Sequence, residues 1–163
     1  MGVGKSSVGR KLANRLNRPF YDSDKIIEEK SGVDIATIFE YEGEDGFRLR
    51  EERTIDALCR QDSMVLATGG GAVLTESTRN LLIKQGTVIY LKATVKTLLE
   101  RTRHSDHRPL LNVPDKHKVI TELLGHREPL YLQTADHTIA TDRRTVSWTA
   151  NRILQLLDLP MES

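Results

Sequence analysis

Cysteine is almost absent: Cys59 stands alone among 163 residues. One thiol excludes an internal disulfide framework and fits a reducing compartment. A surplus of charge of either sign is also lacking, with 24 Lys and Arg against 23 Asp and Glu. A dedicated nucleic-acid or membrane-surface binder carries a basic excess, so neither partner is expected and any attraction for anions must be local. No apolar run approaches the roughly 20 residues that a membrane span needs, and no secretory pattern opens the chain. A soluble cytoplasmic protein is expected. Repeats and low-complexity stretches are missing. His104, His107, His117, His126 and His137 lack metal-ligand spacing. The length suits one domain with a core of its own.

What is present begins at the second residue. Gly2-Val3-Gly4-Lys5-Ser6-Ser7 contains Gly-Lys-Ser, the tail of the phosphate-loop pattern G-x-x-x-x-G-K-[ST]. In such a loop the backbone N–H groups cradle a polyphosphate, the Lys reaches its outer phosphates and the Ser hydroxyl ligates Mg²⁺. The first glycine of the pattern, and the strand that feeds such a loop, would fall before Met1. The expectation is a start further upstream, and neighbours in the sheet that lack that central strand as a partner. A chance tripeptide is the rival reading. Against it, Val8, Leu12 and Leu16 recur every fourth residue, so a helix over 6–16 follows at once and offers its N-terminus to a phosphate.

Apolar runs then alternate with helical periodicity, the signature of an α/β domain with a parallel sheet. Strands are expected at 19–21, 64–67, 87–91 and 137–141. Helices are expected at 26–30, 35–41, 47–60, 81–85, 95–101, 116–127 and 145–157, with Asp34, Thr94 and Asp115 as caps and a stop before Pro129. Segment 102–114 is polar and basic with two prolines, and reads as a mobile loop of the kind that closes over phosphates.

Several residues carry chemistry. Gly69-Gly70-Gly71 follows a buried strand, where open α/β sheets bind ligands and where absent side chains let backbone N–H groups come close. A plain flexible turn is the rival. Asp22 and Asp24 stand two apart at a strand end, so both carboxylates fall on one side. One can support Mg²⁺ while the other accepts a proton from an attacking alcohol, as phosphoryl transfer requires. A capping turn is the rival. Arg127 extends the stripe Ile120, Leu123, Leu124, and Arg48 stands seven residues before Ile55, so both tend inward. An inward guanidinium needs an anion and suits a carboxylate. Either a small carboxylate-bearing substrate or an internal pair, Arg48 with Glu51, satisfies that need. Arg101, Arg103 and Arg108 flank or lie in the basic loop, where one arginine can close over a transferring phosphate. Cys59 and Trp148 read as packing residues.

Six segments together resemble the shikimate kinase family, within the nucleoside-monophosphate-kinase-like phosphate-loop kinases. They are G-V-G-K-S-S at 2–7, F-Y-D-S-D at 20–24, E-G-E-D-G-F-R-L-R-E at 42–51, L-A-T-G-G-G-A-V at 66–73, R-P-L-L at 108–111 and R-E-P-L-Y at 127–131. The resemblance covers essentially the whole chain, 1–163, as a single domain. It implies a three-layer α/β/α fold with a central parallel sheet, a helical substrate-binding subdomain near 23–50 and a lid near 102–114. It implies transfer of the γ-phosphate of ATP to the 3-hydroxyl of shikimate, with Mg²⁺, in aromatic amino-acid biosynthesis. By resemblance, Gly2, Val3, Gly4, Lys5, Ser6 and Ser7 hold the ATP phosphates, Arg101 and Arg144 contact adenine, and Arg108 is the lid arginine. Ser6 holds Mg²⁺, and Asp22 supports it through water. Asp24 is the candidate base, and Arg48, Gly70 and Arg127 complete the shikimate site. A monomer is expected. Two rivals stay open: a nucleotide-binding module of the same fold impaired in catalysis, and a kinase for another carboxylated polyol such as gluconate.

Overall fold

The computed structural model describes residues 2–102 and 115–158. Helix α1 (Lys5–Arg15) begins directly after the glycine loop, because Gly4 adopts the left-handed conformation, φ 94°, that turns the chain into it. Val8, Leu12 and Ala13 form its buried stripe, as the four-residue spacing predicts. Strand β1 (Phe20–Asp22) leads into α2 (Ser23–Ser31), which stops at Gly32 in the left-handed region. Asp34 accepts from the Thr37 N–H and opens α3 (Ile35–Cys59). Strand β2 (Val65–Ala67), a short turn at Ala72–Leu74 and α4 (Glu76–Gln85) follow. The last elements are β3 (Ile89–Lys92), α5 (Val95–Thr102), α6 (Lys116–Thr134), β4 (His137–Ala140) and α7 (Val146–Leu156).

The four described strands lie near their expected positions and pair in parallel. Phe20 lies opposite Val65 and Asp22 opposite Ala67, while Ile89 lies opposite His137 and Lys92 opposite Ala140. Helices fill each crossover, as parallel pairing requires. Among the described residues the strands form two separate pairs, in keeping with the expectation of neighbours that lack a central strand as partner. Between β2 and β3 lies a cavity of about 570 Å³, lined by Val8 and Leu12 of α1, Val65 and Leu66 of β2, and Ile89 and Leu91 of β3.

Three apolar clusters hold the elements together. Val8, Leu12, Ile139, Ile153 and Leu154 join α1, β4 and α7. Val3, Ala93, Leu98 and Ile120 join the glycine loop to α5 and α6. Ile27, Ile38 and Phe47 join α2 to α3, apart from the other two. The two helices expected over 35–60 are present and meet at a kink at Gly43, whose φ of 68° no helix contains. Helix α6 does not stop before Pro129 but runs through it to Thr134. The proline forfeits one backbone bond. The following turn is anchored by buried Thr134, whose hydroxyl donates to the Leu130 carbonyl, and by Tyr131, which reaches another element. Cys59 is half-buried and lines the cavity, where burial pushes its thiol above the usual range. Trp148 is not a core residue: it is partly exposed and carries the Arg144 guanidinium 4.3 Å from its ring centre.

Candidate active site

The glycine loop is held by its backbone and by one apolar plug. Gly2 and Gly4 both lie at positive φ, and Val3 between them is buried against Ala93 and Leu98. Side chains are excluded at Gly2 for a second reason: a Cβ there would stand 2.8 Å from the Thr102 methyl. Arg101 reaches back from α5, donating to the Val3 carbonyl (3.2 Å) and to the Thr141 carbonyl (2.8 Å). This ties α5, the loop and the end of β4 together. Lys5 and Ser6 then begin α1, where unpaired N–H groups and the helix dipole favour an anion. Ser7 is exposed on the same turn.

Ser6 and Asp22 meet directly, the hydroxyl donating to Asp22 Oδ2 at 2.6 Å. This places a hydroxyl oxygen and a carboxylate oxygen together beside Lys5's turn. Among the described residues no cluster of three His, Cys, Asp or Glu stands ready to enclose a metal. A pair of hard oxygen donors suits Mg²⁺, which keeps waters and takes phosphate oxygens rather than an all-protein cage.

The glycine turn after β2 is the meeting point of the site. The Gly69 N–H donates to the hydroxyl of fully buried Ser23 at 3.2 Å. A Cβ on Gly69 would stand 2.6 Å from Glu51 Oε1 and 2.7 Å from Asp24 Oδ1, and one on Gly71 would collide with the Arg48 guanidinium. The absence of side chains lets two carboxyl groups and a guanidinium close on one turn. Asp24 Oδ1 and Glu51 Oε1 are buried without a hydrogen-bond partner. Burial is the main reason that both carboxyls are held above their ordinary range. Asp22 and Glu28 push Asp24 further up, while Lys5 and Arg48 oppose the rise. At Glu51, Arg48 and Arg127 oppose it.

Arg48 is 15 % exposed in its side chain, and Glu51 2 %. Their ion pair at 2.5 Å is the internal pair that the sequence left as an alternative, and Glu44 adds a second contact at 3.1 Å. The pair does not withdraw Arg48 from the site, because its guanidinium lies against Gly71. Arg127 is half-buried on α6, with its charge felt at both Glu51 and Tyr131. Tyr131 donates to the Gly70 carbonyl at 2.5 Å. The structure thus brings Asp24, Arg48, Gly70 and Arg127 together around one turn, and Lys5, Ser6 and Asp22 beside it. It does not bring Arg144 to them, since that side chain lies over Trp148. Arg108 and residues 103–114 of the expected lid lie outside the described residues.

Sequence reasoning did not give Ser23 or Tyr131 a role, and named Glu51 only as a partner for Arg48. The signal for Glu51 was available: Phe47, Glu51, Thr54, Ile55 and Leu58 form one buried helical stripe. Tyr131 stands four residues after Arg127 and so shares its face. Nothing in the sequence marks Ser23.

A phosphate-cradling helix start beside a buried carboxylate and inward arginines defines an ATP-dependent phosphotransferase of the phosphate-loop kinase class. A family profile described as "Shikimate kinase" matches residues 1–158. A shikimate kinase from Mannheimia succiniciproducens is 50% identical over 159 residues, spanning 97% of this chain and 91% of its own length. Another from Legionella pneumophila (strain Corby) is 48% identical, over 96% of this chain and 90% of its own. Among solved structures, shikimate kinase from Acinetobacter baumannii in complex with shikimate superposes with a TM-score of 0.94 at 44% identity, covering 96% of this chain and 88% of that one. The chain belongs to the shikimate kinase family.

Proposed function

We propose that this chain transfers the γ-phosphate of ATP to the 3-hydroxyl of shikimate through the residues just described. The ATP phosphates lie along Gly2–Ser7, with Lys5 on the outer phosphates and Arg101 bracing the loop near the base. Ser6 and Asp22 would hold Mg²⁺, Asp22 through water, and the ion would supply charge neutralisation for the transferring phosphate. Shikimate presents its carboxylate to Arg48 and Arg127 and its ring to the Gly69–Gly71 turn. Its 3-hydroxyl faces Asp24, whose raised proton affinity suits a group that accepts a hydrogen bond or proton from an alcohol. The hydroxyl oxygen bonds to the γ-phosphorus as the bond to the bridging oxygen of ADP breaks in line. Positioning and charge neutralisation supply most of the acceleration.

The observation that carries this reading is the convergence of Asp24, Glu51 and Arg48 on Gly69–Gly71 with two buried carboxyl oxygens left unpaired. Residues 23–50 act as the substrate-binding subdomain; the separate cluster of Ile27, Ile38 and Phe47 supports that division. Arg108 is assigned to the lid and to the phosphates from its sequence segment alone, and Arg144 to the adenine likewise. A monomer is the proposed working unit. Arg48→Ala tests the carboxylate assignment: the shikimate KM is expected to rise about 100-fold, the loss of one charge-assisted bond pair, with the ATP KM unmoved. An unchanged shikimate KM overturns it.

A further inference from the structure

One group in the site has no role in the reaction as described. Tyr131 stands on α6 one turn beyond Arg127, and its hydroxyl donates to the Gly70 carbonyl, 61 residues away in sequence. Its ring is stacked on Tyr90 of β3, with centroids 4.8 Å apart and planes at 28°. The Tyr90 hydroxyl donates to Glu128 Oε1, which also pairs with Lys92 at 2.7 Å. Among the described residues, three contacts fasten this stretch of α6 to β3, and the Tyr131 hydroxyl carries the hydrogen bond to the glycine turn.

Gly70 lies between Gly69, packed on Asp24 and Glu51, and Gly71, packed on Arg48. A peptide group is planar, so holding the Gly70 carbonyl also fixes the Gly71 N–H of the same plane. Burial pushes the Tyr131 hydroxyl above its usual range, with Arg127 and Arg48 opposing, so it stays protonated and remains a donor. Arg127 flanks the same hydroxyl.

Resting on the shikimate reading above, we propose that Tyr131 is a positioning residue for the acceptor substrate: its hydroxyl holds the glycine turn and Arg127 in one register. The carboxylate end of the substrate and the backbone under its ring are then presented as a unit. Removing the hydroxyl loosens the turn against α6 while leaving the phosphate loop untouched.

The test compares Tyr131→Phe with Tyr90→Phe in the full chain, since each removes one hydroxyl from the same aromatic stack. Steady-state kinetics with shikimate and ATP are run together with calorimetric titration of shikimate alone. Tyr131→Phe is expected to raise the shikimate KM and Kd about tenfold, the weight of one hydrogen bond plus an unpaired carbonyl. Its kcat should fall less than its kcat/KM, and its ATP KM should hold. Tyr90→Phe should leave all three constants near wild type. Equal shikimate constants in both variants, or a parallel rise in the ATP KM of Tyr131→Phe, overturn the proposal while leaving the shikimate reading standing. A wild-type chain that neither binds nor turns over shikimate overturns that reading, and this proposal with it.

Discussion

The two strand pairs carry their carboxylates in opposite ways. Around β1 and β2, Asp24 and Glu51 are pressed into the interior against a glycine turn, each with one oxygen unpaired and each held above the ordinary carboxyl range by burial. Around β3 and β4, Asp142 stays near the surface and collects hydrogen bonds from the Thr94 N–H and hydroxyl. Hydrogen bonds from Thr97 and Thr94 hold it below the ordinary range. The second arrangement satisfies itself. The first carries a desolvation cost that no hydrogen bond to those two oxygens offsets. The glycine loop resembles the self-satisfied half: it is held by backbone conformation, by Val3 and by Arg101. The substrate side is therefore built on charge and the nucleotide side on backbone shape.

The largest expected effect lies on the charged side. Asp24→Asn should lower kcat by about 1000-fold while leaving the urea midpoint at pH 7 undiminished, because the amide carries no charge to desolvate. A matching loss of stability would place Asp24 among structural carboxylates such as Asp142. Next comes Glu51→Ala, which leaves Arg48 without its buried partner and should cost about 3–5 kcal/mol of stability, read by urea unfolding. Asp142→Ala should cost much less. Similar losses in the two variants would erase the contrast between the halves.

Two glycines sharpen the comparison further. Gly71 has an ordinary backbone conformation, so Gly71→Ala acts by collision with Arg48 and should raise the shikimate KM about tenfold. Gly4 has open space around it but a φ of 94°, so Gly4→Ala acts by strain of about 1–2 kcal/mol and should be felt in the ATP KM. Effects on the same substrate from both would contradict the division. The smallest effect is pH-dependent. Asp24 and Glu51 bind protons more tightly when folded, so their contribution is present below the ordinary values of 3.8 and 4.5 and is lost as pH rises through the raised folded values. Asp142 has the reverse sign: its contribution is present above 3.8 and lost as pH falls through its lowered folded value. Urea midpoints from pH 4 upward should therefore show Asp24→Asn gaining on wild type as pH rises.

Much of this was legible in the sequence because it depends on local pattern. The helix after Gly4, the caps Asp34, Thr94 and Asp115, and the four strands follow from periodicity and turn chemistry. Asp22, Asp24, Arg48 and Arg127 were named from spacing and lie together. What was not legible depends on contacts across the chain. That Gly69 and Gly71 are glycines because Asp24, Glu51 and Arg48 press on them is a tertiary fact. Helix α6 runs through Pro129 and carries Tyr131 to Gly70, a contact that no local rule contains.

The central claim is that Asp24 and the inward arginines form one acceptor site. It is tested most directly by Mg-ATP-dependent ADP release with shikimate and with its methyl ester, for wild type and Arg127→Ala. The account predicts that esterification raises the wild-type KM about 100-fold and that the penalty shrinks in Arg127→Ala, because the carboxylate it neutralises is then paired with Arg48 alone. A penalty of the same size in both proteins would mean that the carboxylate is read elsewhere, and the site as described would be wrong.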